Sequence, residues 1–427
     1  MKNNIKELKP WLLLWGTQSI SALGSAMTSY ALVLKLFLES GSALKTAMLS
    51  ICSYAPYVLM SIFAGALSDR WDKKKTMLIC DTLAALSTAV MLVLDKNGQL
   101  MPWHLYLINA LNGLMNTVQQ PASEVAATLL IPKAHYQRTS ALRSFSQSLT
   151  SILTPVAATA LFSLAGLEAV AAVDILSFMA AFITLLFFIK LPETEKTDKA
   201  TESLISGVAS GLRWLREHKL VLKLIFFLAS INLVASAYEA LLPAMILPRT
   251  NGGKNVLGLV NTCVGLATVA GSMLAMVLPA PKNRVRAICL ALLFSMSTEN
   301  FMLAFGRSSV VWCAAAVMGW LFIPYMGANL DVILRSEIPS DMQGRVYSCR
   351  NTLQFFTIPI GKLLAGILED NAAEPFMAKQ QGSLLNLLFG SGKGSGAALM
   401  YLILGAAGVT VCLIYSALLR NEKWDKN

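Results

Sequence analysis

Charge is scarce in this chain: 14% of its 427 residues are Asp, Glu, Lys or Arg, where a soluble domain carries about 25%. That excludes an ordinary water-facing surface, as does the 55% share of hydrophobic residues and the mean hydropathy of +0.59. Histidine is scarcer still. His104, His135 and His218 are the whole complement, all in expected loops or at the ends of apolar runs, so proton chemistry falls to carboxylates. The seven cysteines (Cys52, Cys80, Cys263, Cys289, Cys313, Cys349, Cys412) contain no CxxC pair, so neither a disulfide framework nor a metal site is expected. Also missing are an HExxH motif, a His/Asp cluster and a nucleophile with a base at useful spacing, which leaves no catalytic residue to name and no enzyme to expect.

What the chain has is apolar runs of about 20 residues, the length that crosses roughly 30 Å of hydrocarbon. They cover 11–35, 46–67, 76–94, 103–123, 141–164 and 169–190, then 220–246, 255–279, 286–305, 309–331, 346–368 and 396–419. The fold class expected is all-α, with twelve transmembrane helices in two bundles of six. The N-terminal bundle covers 1–190, a cytoplasmic linker 191–219, and the C-terminal bundle 220–427. The linker starts acidic and polar, then carries Leu204, Val208, Leu212 and Leu215 at helical spacing, which predicts an amphipathic surface helix. The first run is longer than a signal-peptide core and has no small-residue cleavage pattern before Lys35, so it reads as a span.

The formal net charge of +11 raises the question of a nucleic-acid partner. The basic residues form no aromatic-interleaved patch, however, and sit in alternate connections, so no nucleic acid is expected. Lys2, Lys6, Lys9, the Arg70–Lys75 cluster, Arg138, Arg213, Arg284, Arg345 and Arg420 share one side. Only Lys35, Lys45, Lys96, Arg249, Lys254, Arg307, Lys379 and Lys393 lie on the other. The positive-inside rule then puts both termini in the cytoplasm. It puts the 369–395 connection outside, where its FGSGKGSG run is a poor nucleotide site: Leu387 stands where a Walker glycine belongs, and Gly394 where Ser or Thr belongs.

The two halves repeat. Ile131, Pro132, Arg138, Arg143 and Gln147 recur 207 residues later as Ile338, Pro339, Arg345, Arg350 and Gln354, and Glu124 matches Asp331. Both copies follow the fourth run of their half, which makes the halves parallel repeats. Membrane carriers built from such repeats bind substrate near mid-membrane.

Between the second and third runs the sequence reads GALSDRWDKKK, Gly65 to Lys75. It resembles the signature loop of the major facilitator superfamily, matched at Gly65, Leu67, Asp69, Arg70, Lys73 and Lys74, with Asp72 in place of the usual second glycine. The residues carry a physical reading of their own: Gly65 permits close helix approach, Asp69 caps a helix or pairs with Arg70, and the lysines meet anionic headgroups. The resemblance implies a gating latch that also involves Arg138 and Arg345. Further stretches, TQSISALGS, QQPASEVAATLLIP, IPSDMQGRVYS and EPFM, are similar to the drug and macrolide efflux branch. The antiporter glycine-proline motif is only half present, with Pro155 followed by Val156, Ala157 and Ala158.

Ionisable groups inside spans are costly and tend to mark pathways. Here they are Asp81, Asp174, Glu239, Glu299 and Lys362. Asp81 reads as a structural partner of Arg70 or Arg143, and Asp174 either as a hydrated helix-end residue or as part of a pathway. Glu239, beside Tyr238 and two turns after Asn232, is the first choice for a proton-coupling group, and Glu299 the second. For each, a structural hydrogen bond is the competing reading. Gln18, Ser21, Asn112, Asn116, Asn232 and Tyr238 are candidate cavity residues, with helix–helix contact as the alternative. The resemblance implies a secondary active exporter of a lipophilic or amphipathic small molecule, macrolide-like or a metabolite such as a siderophore. It would work as a monomer among lipids, need no cofactor, and be driven by proton antiport in the cell membrane. A membrane sensor or scaffold that does not transport is the reading from another class.

Overall fold

The computed structural model describes residues 2–131, 136–191, 204–339 and 342–420, and within these leaves out some side chains, those of 61–70 among them. The described residues are helical, joined by short connections. The first five helices are α1 (Lys2–Ser40), α2 (Ala43–Arg70), α3 (Lys73–Lys96), α4 (Pro102–Leu130) and α5 (Tyr136–Ile183). Helix α5 spans two expected runs and is broken between them at Ala165 (φ −141°, ψ 17°) and Gly166 (φ 71°, ψ −167°). Glycine takes that positive φ without the Cβ clash other residues would suffer. The apolar segment containing the break, Ser146–Phe188, is 43 residues long, about 65 Å as helix and so roughly two membrane thicknesses.

The chain continues with α6 (Leu204–Glu217), α7 (Lys219–Ile246), α8 (Lys254–Val277) and α9 (Arg284–Phe305). The expected tenth and eleventh runs are each split. The tenth becomes α10 (Ser309–Trp320) and α11 (Ile323–Glu337), with Pro324 in the first turn of α11, where its missing N–H costs nothing. The eleventh becomes α12 (Gln343–Phe355) and α13 (Thr357–Leu368). The 369–395 stretch is not the plain loop expected. It holds a π-helical turn at Glu369–Ala373, α14 (Glu374–Ala378) and α15 (Leu384–Phe389), before α16 (Ser395–Leu418) closes the series.

Eight segments among the described residues are long and apolar enough to cross a membrane. Large apolar side chains such as Leu164, Phe187, Met276, Val277 and Val310 point outward and are exposed. Lipid tolerates such a surface, and the all-helical backbone satisfies its own hydrogen bonds there.

The chain divides into two compact units, Met1–Lys35 with Cys52–Leu204, and Leu36–Ile51 with Ile205–Asn427. In the first, Leu14, Met77, Ala122, Ala126, Leu185 and Ile189 pack together. Gly113 on α4 lies so close to the Ser53 backbone of α2 that a Cβ would overlap it. Lys35 pairs with Asp95 at 2.9 Å. In the second unit, Phe227, Ile231, Ile288, Leu292, Leu334, Val346 and Cys412 belong to one core. That core also takes up α6: Trp214 and Leu215 are buried and Val208 packs against them, whereas Leu212 is 41% exposed. The apolar face of α6 is thus centred one residue away from the Leu212 stripe expected, and it meets protein.

Candidate transport site

The second unit contains a cavity of about 330 Å³, lined among others by Asn232, Tyr238 and Glu239 of α7, Glu299 and Asn300 of α9, and Trp320 of α10. Its two glutamates stand in different surroundings. Glu239 is paired with Lys362 of α13, Nζ to Oε2 2.9 Å, and the lysine side chain is 10% exposed against 49% for the glutamate. The pair forms because α13 lies directly on α7. At Gly361 a Cβ would overlap Ser236 Oγ and the Leu233 carbonyl, so only glycine allows the approach. A buried ammonium without a carboxylate would be strongly unfavourable.

Glu299 is 4% exposed. Trp320 Nε1 donates to its Oε1 at 3.1 Å, and no Lys or Arg pairs with it among the described residues. Space for the carboxyl comes from Gly319, where a Cβ would overlap Glu299 Oε2. The Tyr238 hydroxyl is buried facing the same carboxyl, without a partner of normal hydrogen-bond geometry. Tyr238 is held from behind by Tyr401 of α16, whose Oη donates to the Tyr238 carbonyl at 2.8 Å while the rings meet edge-on at 5.5 Å. On the α12 side, Arg350 Nε donates to Gln354 Oε1 at 2.9 Å and Asn232 Nδ2 to the Gln354 carbonyl at 3.0 Å. Two repeat positions therefore line the cavity, together with Asp331.

The first unit keeps its carboxylates in neutral hydrogen bonds. Asp81 accepts from Gln18 Nε2 at 3.1 Å and from Gln119 Nε2, amides where arginines were expected; the Arg70 side chain lies outside the described residues. Asp174 accepts from Ser25 Oγ at 2.9 Å and Thr88 Oγ1 at 3.2 Å and is 5% exposed. It is buried, not a hydrated helix-end residue. Ser21 is buried, Asn116 is exposed, and Asn112 Oδ1 is buried with no partner among the described residues. Gln18 is thus brought to Asp81, while Asn232, Tyr238, Glu239 and Glu299 meet in the second unit's cavity.

In the signature loop, Asp72 caps α3 by accepting from the Lys75 amide at 2.8 Å. This is the residue that replaces the usual glycine, and it does the capping proposed for Asp69. Lys73 Nζ donates to the Trp71 carbonyl, and Lys74 Nζ to the Leu186 and Ile189 carbonyls at 3.0 and 2.7 Å, capping the π-helical turn Thr184–Phe188 that follows α5. The side chains of Gly65, Asp69, Arg70 and Arg138 lie outside the described residues. The Arg345 side chain is exposed, and its carbonyl packs against Gly211.

Trp320, Gly319 and the 239–362 pairing were not legible in the sequence. Lys362 was visible as a charge inside an apolar run, but no spacing rule links it to Glu239 across 123 positions.

The profile of the Major Facilitator Superfamily matches residues 14–362. The chain belongs to that superfamily. It is accordingly a multi-pass transporter of the cell membrane, not an enzyme, and its substrate is a small molecule. Macrolide efflux protein A of Streptococcus pyogenes is 23% identical over 361 residues, covering 84% of this chain and 88% of that one. The multidrug efflux pump Tap of Mycolicibacterium fortuitum is 22% identical, covering 85% and 90%. The staphyloferrin A transporter of Staphylococcus aureus is 21% identical, covering 77% and 82%. Among solved structures, a nucleoside transporter NupG mutant superposes with a TM-score of 0.69 at 15% identity, covering 96% of this chain and 99% of that one. A D-xylose-proton symporter superposes with a TM-score of 0.67 at 12% identity, covering 96% and 97%. These superpositions show the major facilitator fold.

Proposed function

We propose that this transporter exports a lipophilic or amphipathic small molecule by proton antiport and alternating access, with Glu299 as the group that exchanges the proton. The carrying observation is the contrast inside one apolar cavity. Glu239 has a fixed counter-ion in Lys362, so its charge is balanced in place. Glu299 has the Trp320 indole as donor and, among the described residues, no cation. Binding a proton there changes the net charge of the cavity, whereas Glu239 and Lys362 face one another as an ion pair. The order of the two candidates is therefore the reverse of the order depth and neighbours imply in sequence. Asp81 and Asp174, satisfied by neutral donors, hold helices together in this reading.

The macrolide and multidrug efflux relatives support the direction and substrate class. The staphyloferrin A transporter keeps a siderophore as the second reading. Twelve crossings follow if α1 to α4, the two halves of α5, α7, α8, α9, α10 with α11, α12 with α13, and α16 each span once, with both termini cytoplasmic. The reading needs no cofactor and no second subunit.

The test is efflux of fluorescent and macrolide-like compounds from proteoliposomes under an imposed pH gradient, for wild type, Glu299→Gln and Asp69→Asn. Gradient-driven movement is expected in wild type only, with Glu299→Gln retaining downhill exchange of substrate. Full gradient-driven transport by a well-folded Glu299→Gln protein would overturn the assignment.

A further inference from the structure

The connection after α13 carries three carboxylates within six residues, Glu369, Asp370 and Glu374, and two of them are tied to the starts of helices. Asp370 accepts from Ser42 Oγ and from the Ala43 and Leu44 amides, capping α2. Glu374 accepts from the Gly394 and Gly396 amides at 3.0 and 2.9 Å, at the start of α16. The glycines make this possible: Gly394 has φ 89°, and a Cβ at 396 would overlap Glu374 itself. Both carboxylates sit at helix N-termini, where the negative charge is stabilised.

Glu369 lies between them and is served differently. It is 3% exposed, and its Oε2 has no hydrogen-bond partner of normal geometry among the described residues, with the Glu374 carboxyl facing it. The Ala397 amide donates to its carboxyl. The charged and titratable groups around it are Asp370 and Glu374 on its own connection, Tyr401 on α16, and Arg249 from the turn after α7. Arg249 is engaged elsewhere: its guanidinium donates to the carbonyls of Gly306, Phe389 and Gly394. A buried carboxyl beside two further carboxylates, with no cation bonded to it among the described residues, favours its neutral form. Burial, with Glu374 and Asp370 adding repulsion, pushes Glu369 up to about 8. No group of three or more acidic, His or Cys side chains fit to hold a metal ion is present among the described residues.

We propose that Glu369 is a second proton-binding site of this transporter, separate from the Glu299 cavity and exchanging with water on the side reached by the 369–395 connection. On the orientation proposed above that side is the outside. Protonated, Glu369 leaves Asp370 and Glu374 free to hold the starts of α2 and α16. Ionised, it adds a third negative charge to the same turn and weakens both caps.

The direct test does not depend on transport. Infrared titration of the full-length protein in nanodiscs follows the carbonyl band of protonated carboxyl groups across pH, for wild type, Glu369→Gln, Glu299→Gln and the double variant. Glu299 also takes up a proton in the reading above, so the Glu369 component is followed in the Glu299→Gln background: a band titrating near pH 8 is expected in Glu299→Gln and is expected to be lost in the Glu299→Gln, Glu369→Gln double variant. Its persistence in the double variant overturns the proposal. Gln is neutral and matches the protonated side chain in shape, so Glu369→Gln must also fold; a Glu369→Gln protein that aggregates or unfolds counts equally against it. Loss of the band in the double variant with no gradient-driven transport by wild type would uphold this site while refuting the antiport reading.

Discussion

Lys362 Nζ and Glu239 Oε2 meet at 2.9 Å between α13 and α7, and the lysine is the buried partner. That asymmetry sets the outcome of mutation. Removing the glutamate strands a buried ammonium, a cost of roughly 3–5 kcal/mol. Removing the lysine leaves a carboxylate that is half exposed to the cavity and costs less. Glu239→Ala should therefore lower the thermal midpoint clearly more than Lys362→Ala, and Lys362→Met in the Glu239→Gln background should recover part of the loss. Thermal unfolding of the purified variants in one detergent checks the order; equal losses would mean that the pair is not buried as described.

Gly319 is the space that Glu299 occupies. An added methyl at 319 overlaps the carboxyl, so Gly319→Ala should displace Glu299 from Trp320, with overpacking of about 1–3 kcal/mol. Gradient-driven efflux should fall at least as far as in Trp320→Phe, which removes only the indole donor. A Gly319→Ala protein with wild-type transport would show that the carboxyl need not sit where it does.

The Asp370 cap makes a local prediction. Asp370→Ala removes the acceptor of the Ala43 and Leu44 amides, and losing a cap of this kind costs about 1–2 kcal/mol. Hydrogen exchange should accelerate over residues 43–46 while the centre of α7 keeps its protection. Unchanged exchange at 43–46 would rule out the cap.

Glu369 gives stability a pH dependence of definite sign. Its folded value, about 8, is raised from an ordinary 4.5, so the folded state holds the proton more tightly than the unfolded chain. Its contribution is complete below about pH 4.5 and is lost as pH rises through about 8. The thermal midpoint of wild type should therefore fall over that window relative to Glu369→Gln, which has no proton to lose. Parallel curves for the two proteins would show that Glu369 has an ordinary affinity for protons.

How much of this was readable in advance depends on how local each signal is. Apolar runs announced the membrane helices because a span is about 20 consecutive residues, and the Gly65–Lys75 loop announced the family because its pattern is contiguous. The halves of α5 were separable in sequence as the two apolar runs 141–164 and 169–190. The splits in the tenth and eleventh runs were not foreseen, nor was the helical content of 369–395. There, local turns answer to tertiary contacts such as Glu374 with the Gly394 and Gly396 amides.

The sequence by itself determined the environment, the family and the ionisable groups inside the apolar runs: 427 residues with 14% charged and runs of about 20 apolar residues suit helices in lipid, whereas the buried Glu369 lay in an expected external connection. Only the tertiary structure decided which charges are balanced. Glu239 has Lys362, Asp81 has two glutamine amides, Asp370 has the start of α2, and among the described residues Glu299 and Glu369 have no cation bonded to them. The physical reason is that electrostatic balance in a low-dielectric interior is set over a few ångströms of space, and helices bring together residues that lie more than a hundred positions apart in the chain.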